Sequence, residues 1–454
     1  MTGVVTGDNN TAVGLLALAA NTTGTQNVAV GTSAGASVTT GTNTVAIGYQ
    51  AGDALTTGSN NIAIGKNALG AEDTHSFNIA IGSNALSVQN AGADAYNIAI
   101  GYNAGTAVTT GVQNTFIGGL AGDATTTGIR NTAVGQQSLS TNITGGLNTA
   151  LGRSALYSNT TASSNTAVGY ESGYSNTTGS TNTFIGEQSG FWNTTGSSNT
   201  ALGADAYAGS GTATGSNNTA VGRLALTANT TASNNTAVGY ASLQVNTTGQ
   251  SNAAFGWQSL VSVTDGSYNT AVGQGAGSNV TTGTTSVYVG YAAQAAAVSD
   301  IETIVIVADG SGVGRIGKGS STGFINANLG SIYQGNNSAS WATVSDERIK
   351  KNITDNTVGL EAINKIRVRN FEYRTETEIT DFENPQSAVV EKTGIQLGVI
   401  AQEIEKILPD MVTEETTGVK SVNPDNLTWH LVNAVKELSA QNAALTARIE
   451  ALES

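Results

Sequence analysis

Cysteine is absent from the chain, which excludes disulfide staples and thiol chemistry. Only three prolines occur, Pro385, Pro409 and Pro424. Proline removes a ladder donor, so its absence from the first 384 residues fits a continuously hydrogen-bonded β structure. Charge is equally sparse there: residues 1–290 hold 14 of the 50 charged side chains. The net charge of −14, with no basic stripe, argues against a nucleic-acid partner. Two histidines, His75 and His430, lie far apart and argue against a histidine-based metal site, and nothing points to a cofactor. No apolar run approaches the roughly 18 residues of a membrane span, so no membrane insertion is expected. The opening Met1-Thr2-Gly3-Val4-Val5 does not read as a signal segment.

What fills the first 290 residues is a repeat. The unit Asn-Thr-Ala-Val-Gly stands cleanly at Asn131–Gly135 and Asn235–Gly239. Aligned on that glycine, copies run from Gly14 to Gly290 with fourteen of sixteen intervals equal to 17 residues. The two exceptions, 19 residues each and ending at Gly101 and Gly222, read as loop insertions. Such a period outranks local propensity and predicts a solenoid. Thr-Ala-Val-Gly alternates sides as a half-buried strand does. A second glycine falls ten residues after the first in most copies, as at Gly24, Gly41, Gly58, Gly111, Gly128, Gly179, Gly196 and Gly249. It follows polar pairs and reads as a turn glycine supplying φ > 0, so each turn is expected to hold two short strands and two corners. At ~4.8 Å per strand, 17 turns span roughly 80 Å.

The strand motif Asn43-Thr44-Val45-Ala46-Ile47-Gly48 resembles the head repeats of trimeric autotransporter adhesins, although the repeat length differs. That resemblance implies left-handed β-rolls packed three to a stalk. On the roll's surface, Tyr157, Tyr174 and Phe191 each stand five residues after their glycines in consecutive turns and should stack. Tyr240 and Trp257, each directly after a glycine, form a second pair. Aromatic rings with acids nearby (Glu171, Glu187, Asp205) suit a glycan, so these five aromatics are candidate binding residues. They equally suit a plain apolar cover. Glycoside hydrolysis needs a spaced carboxylate pair, and the repeats hold only ten acids.

The beat stops after Gly290. A strand at Glu302–Val307 and short extended pieces near Phe324 and Ile332 read as a β neck over residues 299–344. The glycines between Gly310 and Gly323 lack the Gly-Lys-Ser/Thr ending of a phosphate loop. From residue 345 the chain becomes charged and mixed α/β. Ser345-Asp346-Glu347-Arg348-Ile349-Lys350 opens it. Gly398 to Leu408 reads as an amphipathic helix stopped by Pro409. Leu431, Val435, Leu438, Asn442, Leu445, Ile449 and Leu452 then give heptad spacing, predicting a coiled coil over about residues 427–454, with Asn442 setting register.

These three motifs resemble the intramolecular chaperone domain of phage tail fibres and endosialidase tailspikes, the S74 peptidase family. The resemblance covers Ser345 to Ser454; Pro424 departs from the aromatic often found there. It implies trimerisation, followed by self-cleavage between Val344 and Ser345 by a Ser345–Lys350 dyad. Read from the residues alone, Ser345 or Asp346 could as well cap a helix and Lys350 be a solvated charge.

The expected architecture is mostly β: a β-roll or β-solenoid shaft (residues 1–298), the neck, and a C-terminal α/β chaperone domain (345–454). The expected function is that of a homotrimeric phage tail fibre in the virion. Its partners would be a host-surface glycan or protein receptor and other virion tail proteins. Any enzymatic activity is confined to single-turnover self-processing. The alternatives are a bacterial trimeric adhesin and a polysaccharide-degrading tailspike.

Overall fold

The computed structural model describes residues 6–308, 315–327, 330–334, 342–343, 347, 350–379, 393–414 and 419–453. The chain divides into two compact units, residues 1–344 and 345–454.

The first unit is a β-solenoid. Seventeen three-residue strands, β1 (Thr11–Val13) to β17 (Val287–Val289), stack in parallel, each turn over its equivalent in the next. Thr132, Ala133 and Val134 pair with Thr149, Ala150 and Leu151, a register of one repeat. From β2 onward the middle residue of each strand is buried, and Ala133 and Ala150 are fully so. The branched residue after it points outward. Ile47, Ile117, Leu151, Ile185, Leu202, Phe255 and Val272 stand exposed in one column along the solenoid.

Only one strand forms per turn. The expected second strand is a bent segment that still makes ladder bonds: Thr126 N–H donates to Ile143 O at 2.9 Å, and its hydroxyl donates to the same oxygen. The asparagine of each motif closes the corner from inside. Asn131 N–H donates to Asn114 Oδ1 (2.9 Å), and Asn131 Nδ2 donates to Gly145 O (2.9 Å). Copied turn after turn, this satisfies buried backbone groups that water cannot reach.

The left-handed residues do not sit where the sequence suggested. In the turn that begins at Gly152 (φ 139°), Ser154, Leu156 and Ser164 have φ of 55°, 49° and 61°. Gly41 and Gly128 have no positive φ; they are glycine because the carbonyl oxygen of the next turn lies 2.5 Å from where a Cβ would stand.

The core follows a size rule. Where the strand centre is Ala, the fourth residue after the repeat glycine is usually a buried leucine, as at Leu69, Leu86, Leu139 and Leu156. Where the centre is Phe116, the flanking fourth positions are Gly105 and Gly122; where it is Phe184, they are Gly173 and Gly190. A Cβ on Gly122 or Gly190 would run into the phenyl ring. One large side chain per layer keeps the interior at packed density.

The stack does not end at residue 298. Val287 pairs with Ile304 of β19 (Ile304–Ala308), again 17 residues on, although Val307 now stands at the glycine position. The short strands β18 (Ala293–Gln294) and β20 (Arg315–Ile316) pair in parallel, a further parallel pairing joins β19 to β21 (Gly323–Ala327), and β22 (Gly330–Gln334) and β23 (Ala342–Thr343) follow in antiparallel pairing.

The second unit is small and mixed. Strand β24 (Arg369–Phe371) pairs with β25 (Gln396–Gly398), and β26 (Val412–Glu414) with β27 (Lys420–Val422). The helix expected from Gly398 to Leu408 shrinks to α2 (Ala401–Ile404), because Gly398 belongs to β25 and Pro409 opens a separate turn. Ile404, Leu408 and Met411 form its core with Ile366, Val399 and Leu427. Helix α3 (Leu427–Glu453) ends the chain. No helix among the described residues is long and apolar enough to cross a membrane.

Candidate functional sites on the shaft and in the C-terminal unit

Equivalent positions one turn apart are stacked by the parallel register, so surface side chains form columns. Tyr157 and Tyr174 stack with ring centroids 5.0 Å apart and planes 4° off parallel; Tyr174 and Phe191 follow at 5.1 Å and 6°. Tyr240 and Trp257 stack at 6.3 Å. Three neighbours were not singled out by sequence. Trp192 meets Phe191 edge-on at 4.9 Å. Arg153 lies over the Tyr170 ring at 5.6 Å from its centroid, a cation–π contact. Seventeen-residue spacing alone would have placed that arginine over that ring.

Of the acids near these rings, Glu171 is engaged. Gln188 Nε2 donates to Glu171 Oε2 at 3.0 Å. The Glu171 carboxylate also raises the neighbouring Tyr170 hydroxyl above its ordinary range. Flat rings beside polar and charged groups form a surface able to stack on a sugar and bond its hydroxyls. Phe77 and Tyr96, also missed, stack in the same manner at 5.1 Å.

In the C-terminal unit, Val344, Ser345, Asp346 and Arg348 lie outside the described residues. Lys350 is exposed, and its backbone N–H donates to Glu347 O at 3.1 Å. The second motif is placed in full. Glu403 joins Arg369, with Nη2 to Oε1 at 2.6 Å and Nε to Oε2 at 3.3 Å, which holds the Glu403 carboxyl below its usual range. Its backbone enters α2, whose Ile404 is buried in the small core.

Helix α3 docks by its first half. His430 Nδ1 lies 3.2 Å from Val358 O, Asn433 Nδ2 donates to Asn356 O at 2.8 Å, and Glu437 Oε2 accepts from Leu360 N–H at 2.9 Å. That last bond holds the start of α1 (Leu360–Lys365). Beyond Glu437 the heptad residues Leu438, Leu445, Ile449 and Leu452 are all exposed, a seam that no described residue covers.

Residues 345–413 match the model of the S74 peptidase family, described as the chaperone of endosialidase. No curated protein and no solved structure matches the chain. A β-solenoid followed by a segment that matches the S74 chaperone model fits a tail-fibre-like or tailspike-like protein.

Proposed function

We propose that the protein is a homotrimeric tail fibre of a phage, carried on the virion, whose solenoid contacts the host surface. Its C-terminal domain would assemble the trimer and then cut itself away. The observation that carries this reading is the succession of a repeat solenoid and, from residue 345, the chaperone-family match. Two exposed apolar features support self-association: the outward column on the strands and the seam of α3. An exposed apolar patch this long marks an interaction surface. The aromatic stacks at Tyr157–Tyr174–Phe191 and Tyr240–Trp257 are the proposed glycan contacts.

In the proposed cleavage, Ser345 Oγ adds to the Val344 carbonyl carbon while the Lys350 amine takes its proton. The Val344–Ser345 amide bond breaks to leave an ester on Oγ and a free amine on Ser345. Water then hydrolyses the ester, releasing the Val344 carboxylate. A lysine serves as base only in its neutral form, and burial favours that form. Because the Lys350 side chain is exposed in the single chain, cleavage is conditional on assembly.

Denaturing electrophoresis of wild type beside Ser345→Ala tests this. The expected result is two fragments divided after Val344 in wild type and an intact variant. Two intact chains under conditions that give trimers would remove self-cleavage and leave only the chaperone fold. Incubation with host capsule distinguishes a fibre from a depolymerase: released oligosaccharide would favour the tailspike alternative.

A further inference from the structure

We propose that the corner formed by Glu72, Asp73 and His75 binds one first-row divalent cation, with Zn²⁺ as the reference ion. The turn that starts at Gly65 breaks the pattern of its neighbours. Seven residues after the repeat glycine, other turns bury an apolar residue (Val38, Leu55, Val108) or an uncharged polar one (Gln89, Asn142, Asn159); here the fully buried residue is a carboxylic acid, Glu72. Ten residues after it, where Gly41 and Gly58 stand in the preceding turns, the chain carries His75.

The two side chains meet: Glu72 Oε1 lies 2.7 Å from His75 Nδ1. The Asp73 carboxylate reaches within 4.8 Å of both ligand atoms. Its Oδ1 is held by the Thr74 hydroxyl at 3.1 Å. The other Glu72 oxygen accepts from Gln89 Nε2 at 2.9 Å, and Gln89 Oε1 in turn accepts from Asn97 Nδ2 at 2.7 Å.

A buried carboxylate is costly unless a positive charge compensates it. The group that touches this one is an imidazole, the commonest metal ligand. Ligand atoms at about 2.0–2.2 Å from Zn²⁺ lie about 3.0–3.5 Å from one another, so the Glu72–His75 pair needs to open by less than about 1 Å. One nitrogen and two carboxylates suit a first-row ion better than Ca²⁺ or Mg²⁺, which prefer oxygen throughout. Gln89 and Asn97 orient the buried ligand from outside, as outer partners do in metal sites. Composition argued against this site because it counted histidines in pairs. One histidine suffices when two acids stand within three residues of it.

The test is calorimetric titration of the full-length, chelator-stripped protein with Zn²⁺. The expected outcome is saturation at one ion per chain, with affinity at least tenfold weaker in Glu72→Gln, Asp73→Asn and His75→Asn. Glu187→Gln, on a distant turn, should bind as wild type does. No saturable binding, or equal affinity in the three variants, overturns the proposal. Should Glu72→Gln fail to fold, Asp73→Asn still decides, since its side chain lies outside the core.

Discussion

Phe184 and its two glycines show how much of this solenoid is decided residue by residue. Phe184→Ala should cost about 3–5 kcal/mol, the range for deleting a buried phenyl ring. Adding Gly173→Leu and Gly190→Leu should recover part of that loss, because Leu69 and Leu86 already fill the same position at left-handed φ of 53° and 48°. Equilibrium denaturation of the single and triple variants measures it; no recovery would refute the size rule. Asp123 gives a pH-dependent case. Burial holds its carboxyl above the ordinary range, opposed by the Ser140 hydroxyl at 2.5 Å. The folded chain therefore keeps a proton where the unfolded chain has lost it, and this contribution to stability fades as pH rises through that window. Asp123→Asn should be the more stable protein at pH 7 and match wild type below about pH 3, where both chains are protonated. Thermal melts across that range give the comparison.

At the scale of elements, the period was legible because turns stack in register, and a repeated contact leaves a repeated residue. The strand and its buried alanine were legible for the same reason. Other features were not. The role of Gly41 is invisible in one turn, since the obstructing carbonyl belongs to the next. The pairing of Val287 with Ile304 was lost once Val307 replaced the marker glycine, although the spacing persisted. The full-length helix after Gly398 was suggested by apolar spacing, but β25 claims its first residue and the small core takes Ile404 and Leu408. Of the candidate sites, the aromatic stacks followed from spacing alone, whereas the proposed cleavage centre rests on residues of which only Lys350 is described. The outward column carries its own prediction. Ile185→Asp with Leu202→Asp changes exposed side chains only, so each chain should still fold while sedimentation shows loss of the proposed trimer. A trimer of unchanged mass would mean that the column is not the contact.

At the scale of the whole molecule, near-identical turns present a problem of registration in the proposed trimer. A shift of one chain against another by a single turn replaces each strand by one of nearly the same sequence, as Thr132–Val134 and Thr149–Leu151 are. Registration then has to come from outside the shaft, which is the proposed role of the C-terminal unit and its exposed seam. Residues 1–344 expressed alone should accordingly give heterogeneous or aggregated species, where the intact chain gives one discrete mass by light scattering. A uniform trimer from the shortened chain would show that the shaft aligns itself.

The vertical pairing of one repeat upon the next also quantises length. A viable change in reach is the gain or loss of whole turns, each 17 residues for about 4.8 Å of shaft. An α-helix covers the same rise with about three residues. The solenoid thus devotes several times more chain to each ångström of extension. In return, every layer offers the same surface positions again, a lattice on which rings such as Tyr157 and Tyr174 can be written at a fixed pitch.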